Sequence, residues 1–176
     1  MPNKNILRLT TTAVLVALLI GIQAAAGALG QLAVGSLVNL VLVMSVMIGG
    51  LASGLAAALL SPVFARLLGI GPLWALVPFI MAGNAALILV WHFVAKRDFA
   101  GRHIVRATAL ALAAVCKFAV LYLGIVRIAA PFLLRLPAPQ TAMISNMFAL
   151  PQLLTALIGG ALAMAVLPVA EKVRKG

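Results

Sequence analysis

An all-helical integral membrane fold, a bundle of six transmembrane helices with both termini in the cytoplasm, follows from three features of this 176-residue chain. Hydrophobic residues make up 65% of it and charged residues 9%, against about 45–50% and 25% in soluble domains. The apolar residues fall into six runs separated by short polar, Gly-rich or Pro-rich breaks. The basic residues collect beside alternate breaks, as they do when one face of a bundle lies in the cytoplasm. No hydrophilic stretch is long enough to form a soluble unit, so residues 1–176 are expected to form a single transmembrane domain.

The first span, 6–29, superficially resembles a signal peptide, because residues 1–12 carry Lys4 and Arg8 ahead of the apolar run 13–29. It is read as an uncleaved first helix, because Gln23 and its small residues suit a packed bundle and further spans follow. Along it Ala13, Ala17 and Gly21 recur every four residues. That small-xxx-small stripe lets another helix approach to backbone contact, with ordinary packing inside the bundle as the plain alternative. Runs 34–48 and 51–68 are separated only by Gly49 and Gly50, which leave room for a tight turn. Gly50 to Gly54 formally spells GxxxG, but within that turn it carries no weight. The remaining spans are 73–95, 104–126 and 146–167. Pro62, Pro78 and Pro151 interrupt apolar runs, which membrane helices tolerate when neighbours satisfy the freed carbonyls.

Six spans put Lys4, Arg8, Lys96, Arg97, Arg102, Arg106, Lys172, Arg174 and Lys175 on one side and only Arg66, Arg127 and Arg135 on the other. Nine against three obeys the positive-inside rule and makes both ends cytoplasmic. The excess of 13 Lys and Arg over 2 acids therefore reports topology and calls for no nucleic acid. The single cysteine, Cys116, allows no internal disulfide and reads as a small buried residue.

Lys117 breaks the pattern. It sits halfway along an apolar stretch of about 20 residues, about 15 Å from either end, too deep for its stem to snorkel. A bare charge at a helix centre costs about 2.5–3.5 kcal/mol on insertion scales, so it faces a partner or a wet cavity. The only acids, Asp98 and Glu171, belong to the cytoplasmic ends. Ala113, Ala114, Leu121 and Gly124 share its side of the helix, leaving room for a ligand or for a close neighbour. Other polar residues gather in the outer half of the spans: Gln31, Asn39, Trp74, Asn84, Tyr122, Arg127, Asn146 and Gln152. That distribution describes a pocket open to the outside and closed below. Asn39, Asn84 and Gln152 equally suit bonds to a neighbouring helix, and Trp74 and Tyr122 suit an interfacial belt. His92 lies near an inner helix end.

Absent motifs narrow the function. The chain has no GxxxxGK[ST] phosphate loop, no HExxH, no GxSxG and no paired carboxylates. It also has no acid within a span to couple protons. These omissions argue against an enzyme and against a self-powered pump.

Together with Ala13 and Ala17, the segment GSLVNLVLV at 35–43, the Gly-rich turn after it and the run VPFIMAGNAAL at 77–87 give a chain that resembles the substrate-binding S components of energy-coupling factor (ECF) vitamin transporters. The resemblance covers essentially the whole chain. It implies a multi-pass protein of a prokaryotic cell membrane that captures a vitamin or its precursor near the outer face. It further implies docking, through Ala13 and Ala17 with Gly21, onto a transmembrane scaffold subunit carrying two ATPases. ATP is then used by those partners, and this chain needs no cofactor of its own. Gln31, Asn39, Asn84, Lys117 and Gln152 become candidate ligand contacts. Lys117, aided by Arg127, favours a carboxylate-bearing ligand such as pantothenate, niacin, lipoate or biotin. The competing expectation is a structural subunit similar to the small polytopic proteins of bacterial cell-shape complexes.

Overall fold

A computed structural model describes residues 4–25, 29–71, 73–97 and 101–175, with side chains for 6–25, 29–71, 73–97 and 101–167. Asp98 and the far end of the first predicted span, 26–28, lie outside the described residues, as do the side chains of Lys4, Glu171, Lys172, Arg174 and Lys175. Six α-helices make up nearly all of what is described: α1 (Lys4–Ala25), α2 (Gln31–Leu67), α3 (Val77–Val94), α4 (Arg102–Leu121), α5 (Ala138–Phe148) and α6 (Leu150–Lys175). A 3-10 turn, Trp74–Leu76, leads into α3, and a π-helical segment, Tyr122–Leu133, continues α4. No strand occurs among the described residues.

Five segments are long and apolar enough to cross a membrane: Ile6–Ala25, Gln31–Leu67, Trp74–Val94, Arg102–Leu133 and Ala138–Leu167. The outer surface suits that solvent. Leu9, Val14, Phe93, Ile104, Val115 and Phe132 are all at least half exposed, as side chains facing lipid are. The protein is a multi-pass membrane protein.

The longest segment is not one straight rod. Gly50 adopts φ 81° and ψ −175° inside it, a backbone that a residue without Cβ enters at little cost. A Cβ built on Gly54 would lie 2.9 Å from the Cβ of Val46 and 3.2 Å from its Cα. Residues eight apart in a continuous helix are about 12 Å apart along the axis. The chain therefore folds back at Gly50, so the two arms of α2, 31–49 and 51–67, lie against each other. The Gly49–Gly50 turn expected from the sequence is present.

The prolines act in three ways. Pro78 and Pro151 are second residues of α3 and α6, where a missing N–H costs nothing and a fixed φ helps start the helix. Pro62 lies inside the second arm of α2 and leaves the carbonyl of Ala58, four residues back, without its helical donor. Past Leu121 the helix loosens. The N–H of Leu134 reaches the carbonyl of Ala129 at 2.8 Å, a five-residue spacing, and Pro131 sits within the loosened stretch. As a result the fifth predicted span runs from 102 to 133 instead of 104–126. The sixth is also longer than the predicted 146–167, because α5 precedes α6 with a break at Ala149.

The first arm of α2 is the centre of the bundle, with 41–46 buried on every side. The two arms of α2 together pack on α1, α3 and α6, while α4 packs on α3 and α6. Leu42, Leu87, Ile88, Trp91, Ala109 and Ala113 belong to the main core. A smaller cluster, with Leu76, Leu121, Ile125, Ile144 and Phe148, seats α5 on the π segment. Membrane helices gain little from burying apolar surface against one another, so close contact between small residues holds them. Backbone meets backbone at Gly159 of α6, where an added Cβ would collide with the carbonyl of Ser36 and lie 2.8 Å from the backbone nitrogen of Leu40.

That contact yields a test. Gly159→Ala should destabilise the protein by about 1–3 kcal/mol, since backbone cannot retreat as a side chain can. Gly21→Ala, with nothing within 4 Å of the new methyl, should be neutral or stabilising by about 0.5–1 kcal/mol. Thermal unfolding in detergent compares them, and equal midpoints would remove the close α2–α6 approach.

Candidate functional site

Lys117 projects from α4 into the bundle and is only 3% exposed. Its Nζ donates to Oδ1 of Asn39 at 2.6 Å and to Oδ1 of Asn84 at 2.8 Å. Both lengths suit charge-assisted bonds. The amide orientations follow from what lies behind them. Asn39 Nδ2 donates to the carbonyl of Gly35 at 2.8 Å and to Oγ1 of Thr155 at 3.3 Å. Asn84 Nδ2 makes a long bond, 3.5 Å, to the carbonyl of Ala58, the group that Pro62 leaves without a donor. Carbonyls only accept, so each asparagine must turn its NH2 toward the backbone and its oxygen toward the ammonium. Asn39, Asn84 and Thr155 are themselves buried.

A second layer continues from Thr155. Its hydroxyl donates to the carbonyl of Gln152 at 3.2 Å. Gln152 Nε2 in turn reaches the carbonyl of Met147 at 3.1 Å, and Gln31 Nε2 donates to the same oxygen at 2.5 Å. Met147 is in the last turn of α5, where helix carbonyls have no helical partner. The two glutamines satisfy one of them, and a carbonyl has lone pairs for both. A continuous set of hydrogen bonds thus runs from the buried ammonium to the start of α2 and the end of α5. Asn39 and Asn84 lie about 10–12 Å along their helices from the ends that carry Gln31 and Val77.

Five predicted site residues, Lys117, Asn39, Asn84, Gln152 and Gln31, are therefore joined in one network. The other four are placed apart from it. Trp74 is half exposed, with the guanidinium of Arg66 5.8 Å from its ring centre. Tyr122 stacks on Phe118 at 5.6 Å and lies 5.4 Å from the guanidinium of Arg127. Arg127 and Asn146 are exposed. Tyr122 and Arg127 are five and ten residues after Lys117, about 140° and 80° around a regular helix from it, so helical spacing alone turns them off its face. Thr155 was not anticipated. Its signal was a hydroxyl three residues after Gln152, on the same face of an otherwise apolar run.

Of the two alternatives open for the face of α4 near Lys117, a close neighbour is found at Leu121, which packs against Gly83, and at Gly124, which packs against Phe79. The opposite end of the bundle has clefts of its own. A cleft of about 410 Å³ lies there between Arg8, Leu9 and Thr12 of α1 and the Gly49–Ser53 turn. A smaller one, about 190 Å³, is bordered by His92, Lys96 and Arg106. Neither borders Lys117.

On α1 the stripe is free of the bundle. Ala13, Ala17 and Gly21 are exposed, while Val16 and Leu19 on the other face are buried. Thr12 is hydrogen-bonded to Ser53 of α2. The stripe therefore does not serve packing within the chain.

The network predicts its own energetics. Asn39→Leu leaves the ammonium with a single acceptor and should cost about 2–3 kcal/mol. In a Lys117→Met background the same change should cost much less, giving a coupling of about 1–3 kcal/mol in a double-mutant cycle. Purely additive effects on thermal or denaturant unfolding would mean that the two side chains do not interact.

Comparison with known proteins adds no relative: no family model, curated protein or solved structure matches this chain.

Proposed function

We propose that this chain is the substrate-binding subunit of a vitamin importer, similar to the S components of ECF transporters. In that reading its six crossings have both ends in the cytoplasm. The reversal at Gly50 supports the count by turning 31–67 into two arms of about 28 and 25 Å. The segregation of basic residues, nine against three, supports the orientation. The Lys117 network then lies in the outer half of the membrane, beneath Gln31 and α5.

One observation carries the proposal. Among the described residues, Lys117 is a buried cation held by neutral amides, with no carboxylate beside it. The asparagines satisfy two of three N–H groups but leave the charge uncompensated, and an uncompensated buried charge is costly. A carboxylate arriving from outside supplies the missing charge and takes the third donor. The exposed Ala13–Ala17–Gly21 face of α1 is the docking surface for a membrane scaffold bearing ATPases. This chain performs no chemistry; ATP is consumed by its partners.

A second reading has its own support. Because Asn39 and Asn84 already engage the ammonium, the cluster also suits a purely structural role, as in a non-transporting subunit of a cell-shape complex. Heating the purified protein with a panel of water-soluble vitamins separates the two. A ligand at a thousand times its Kd stabilises by about 4 kcal/mol; a midpoint that no vitamin moves would favour the structural subunit.

Two substitutions refine the test. Lys117→Met should weaken binding of the identified vitamin at least thirtyfold, about 2 kcal/mol, the lower range for losing one partner of a buried charged contact. Unchanged affinity would take Lys117 out of the site. Ala13→Trp or Ala17→Trp should block assembly with the ATPase-bearing scaffold while leaving vitamin binding intact, and normal uptake by either variant would rule out docking through α1.

A further inference from the structure

Beyond Lys117, the π segment that continues α4 presents a cation to the membrane. Arg127 is exposed, and its guanidinium lies 5.4 Å from the ring centre of Tyr122, within reach of a cation–π contact. Tyr122 is itself stacked on Phe118, so the guanidinium rests beside a supported ring. Leu123 and Ile128, next to it on the same segment, are 56% and 50% exposed. The charge therefore interrupts a surface that otherwise suits lipid.

Helix length sets its depth. From Arg102 to Leu121 α4 rises about 29 Å, nearly the whole ~30 Å of hydrocarbon. Arg127, further along, reaches the opposite headgroup layer. Neither acid of the chain can follow it there. Asp98 precedes Arg102 by four residues and is tethered within about 14 Å of it. Glu171 belongs to the same end, because α6 runs antiparallel to α4: Thr155 is joined through Asn39 to Lys117, and Gly160 meets Leu110. Glu171 lies about 16 Å beyond Gly160 in that direction.

We propose that Arg127 and Tyr122 form a binding site for the phosphate of a membrane phospholipid, whose acyl chains lie along the exposed face at Leu123. The planar fork of the guanidinium pairs with the phosphate oxygens, and the ring limits where the fork can turn. A lipid supplies the phosphate because Arg127 stands on the surface that faces the bilayer, at headgroup depth. The site is independent of vitamin binding, of the Lys117 network and of docking through α1.

Tyr122 is the only tyrosine of the chain, so one ring signal reports this site apart from lipid bound elsewhere. The purified full-length protein, isotope-labelled at tyrosine in neutral detergent, is followed by NMR during three titrations. The additions are phosphatidylglycerol, a diacylglycerol with the same acyl chains, and inorganic phosphate. Phosphatidylglycerol should shift the ring signal saturably, and the other two should leave it in place. Arg127→Gln, a surface change that spares the core, should raise the lipid concentration at half-shift about fivefold, the effect of one charge near the membrane surface. Arg135→Gln removes an equal, exposed charge at the same end and should titrate like the parent. Equal losses in the two variants would overturn the site in favour of diffuse attraction. Diacylglycerol matching phosphatidylglycerol would overturn phosphate as the recognised group, and inorganic phosphate matching it would overturn the lipid as its source. A signal that no addition moves would overturn the site altogether.

Discussion

The buried ammonium of Lys117 is the constraint around which the rest of this bundle is arranged. A cation in hydrocarbon must find acceptors, and the acceptors come from helices far apart in sequence. Asn39 belongs to the first arm of α2 and Asn84 to α3, and each needs a hydrogen-bond sink behind it to hold its oxygen forward. For Asn84 the sink is a carbonyl of α2 that Pro62 leaves open. For Asn39 it is the carbonyl of Gly35 and the hydroxyl of Thr155. One side chain on α4 thereby fixes how α2, α3 and α6 sit relative to one another.

That arrangement is possible only because α6 comes very close to α2. Thr155 can meet Asn39 because Gly159, one turn further on, has no side chain to push the helices apart. In a membrane, where apolar burial between helices is weakly rewarded, close packing and polar contacts act together. Small residues bring the backbones near, and the nearness lets short polar side chains reach each other. On α1 the logic is reversed. Its large residues Val16 and Leu19 face inward and its small ones face out, so among the described residues its small face is left uncovered.

The helical membrane fold was readable from hydropathy alone, and so was the turn at Gly50, because only glycines separate two apolar runs there. The lengths of the last spans were not. Nothing in a uniformly apolar sequence marks where an α-helix loosens to π spacing, and Pro131 lies beyond the end predicted for the fifth span. Lys117, Asn39 and Asn84 were identifiable for one physical reason, that a polar group within an apolar run is costly enough to require a partner, whereas Gln31 and Gln152 lie nearer helix ends, where the signal is weaker. Trp74, Tyr122, Arg127 and Asn146 lie nearer the helix ends, where that cost fades and depth no longer implies facing inward. Thr155 escaped notice because a threonine satisfies itself on its own helix so readily that its presence in a span carries little information.

Charge accounting leads further than any single contact. The chain carries 13 Lys and Arg against 2 acids, so most of its positive charge has no counterpart within the molecule. At the membrane surface, water and salt screen that excess. Inside the bundle screening fails, and neutral amides orient the Lys117 ammonium without neutralising it. Under the proposed function, a water-soluble carboxylate supplies the charge that the amides do not. In that reading the same ammonium both holds α2, α3 and α6 together and leaves a charge for a ligand to meet.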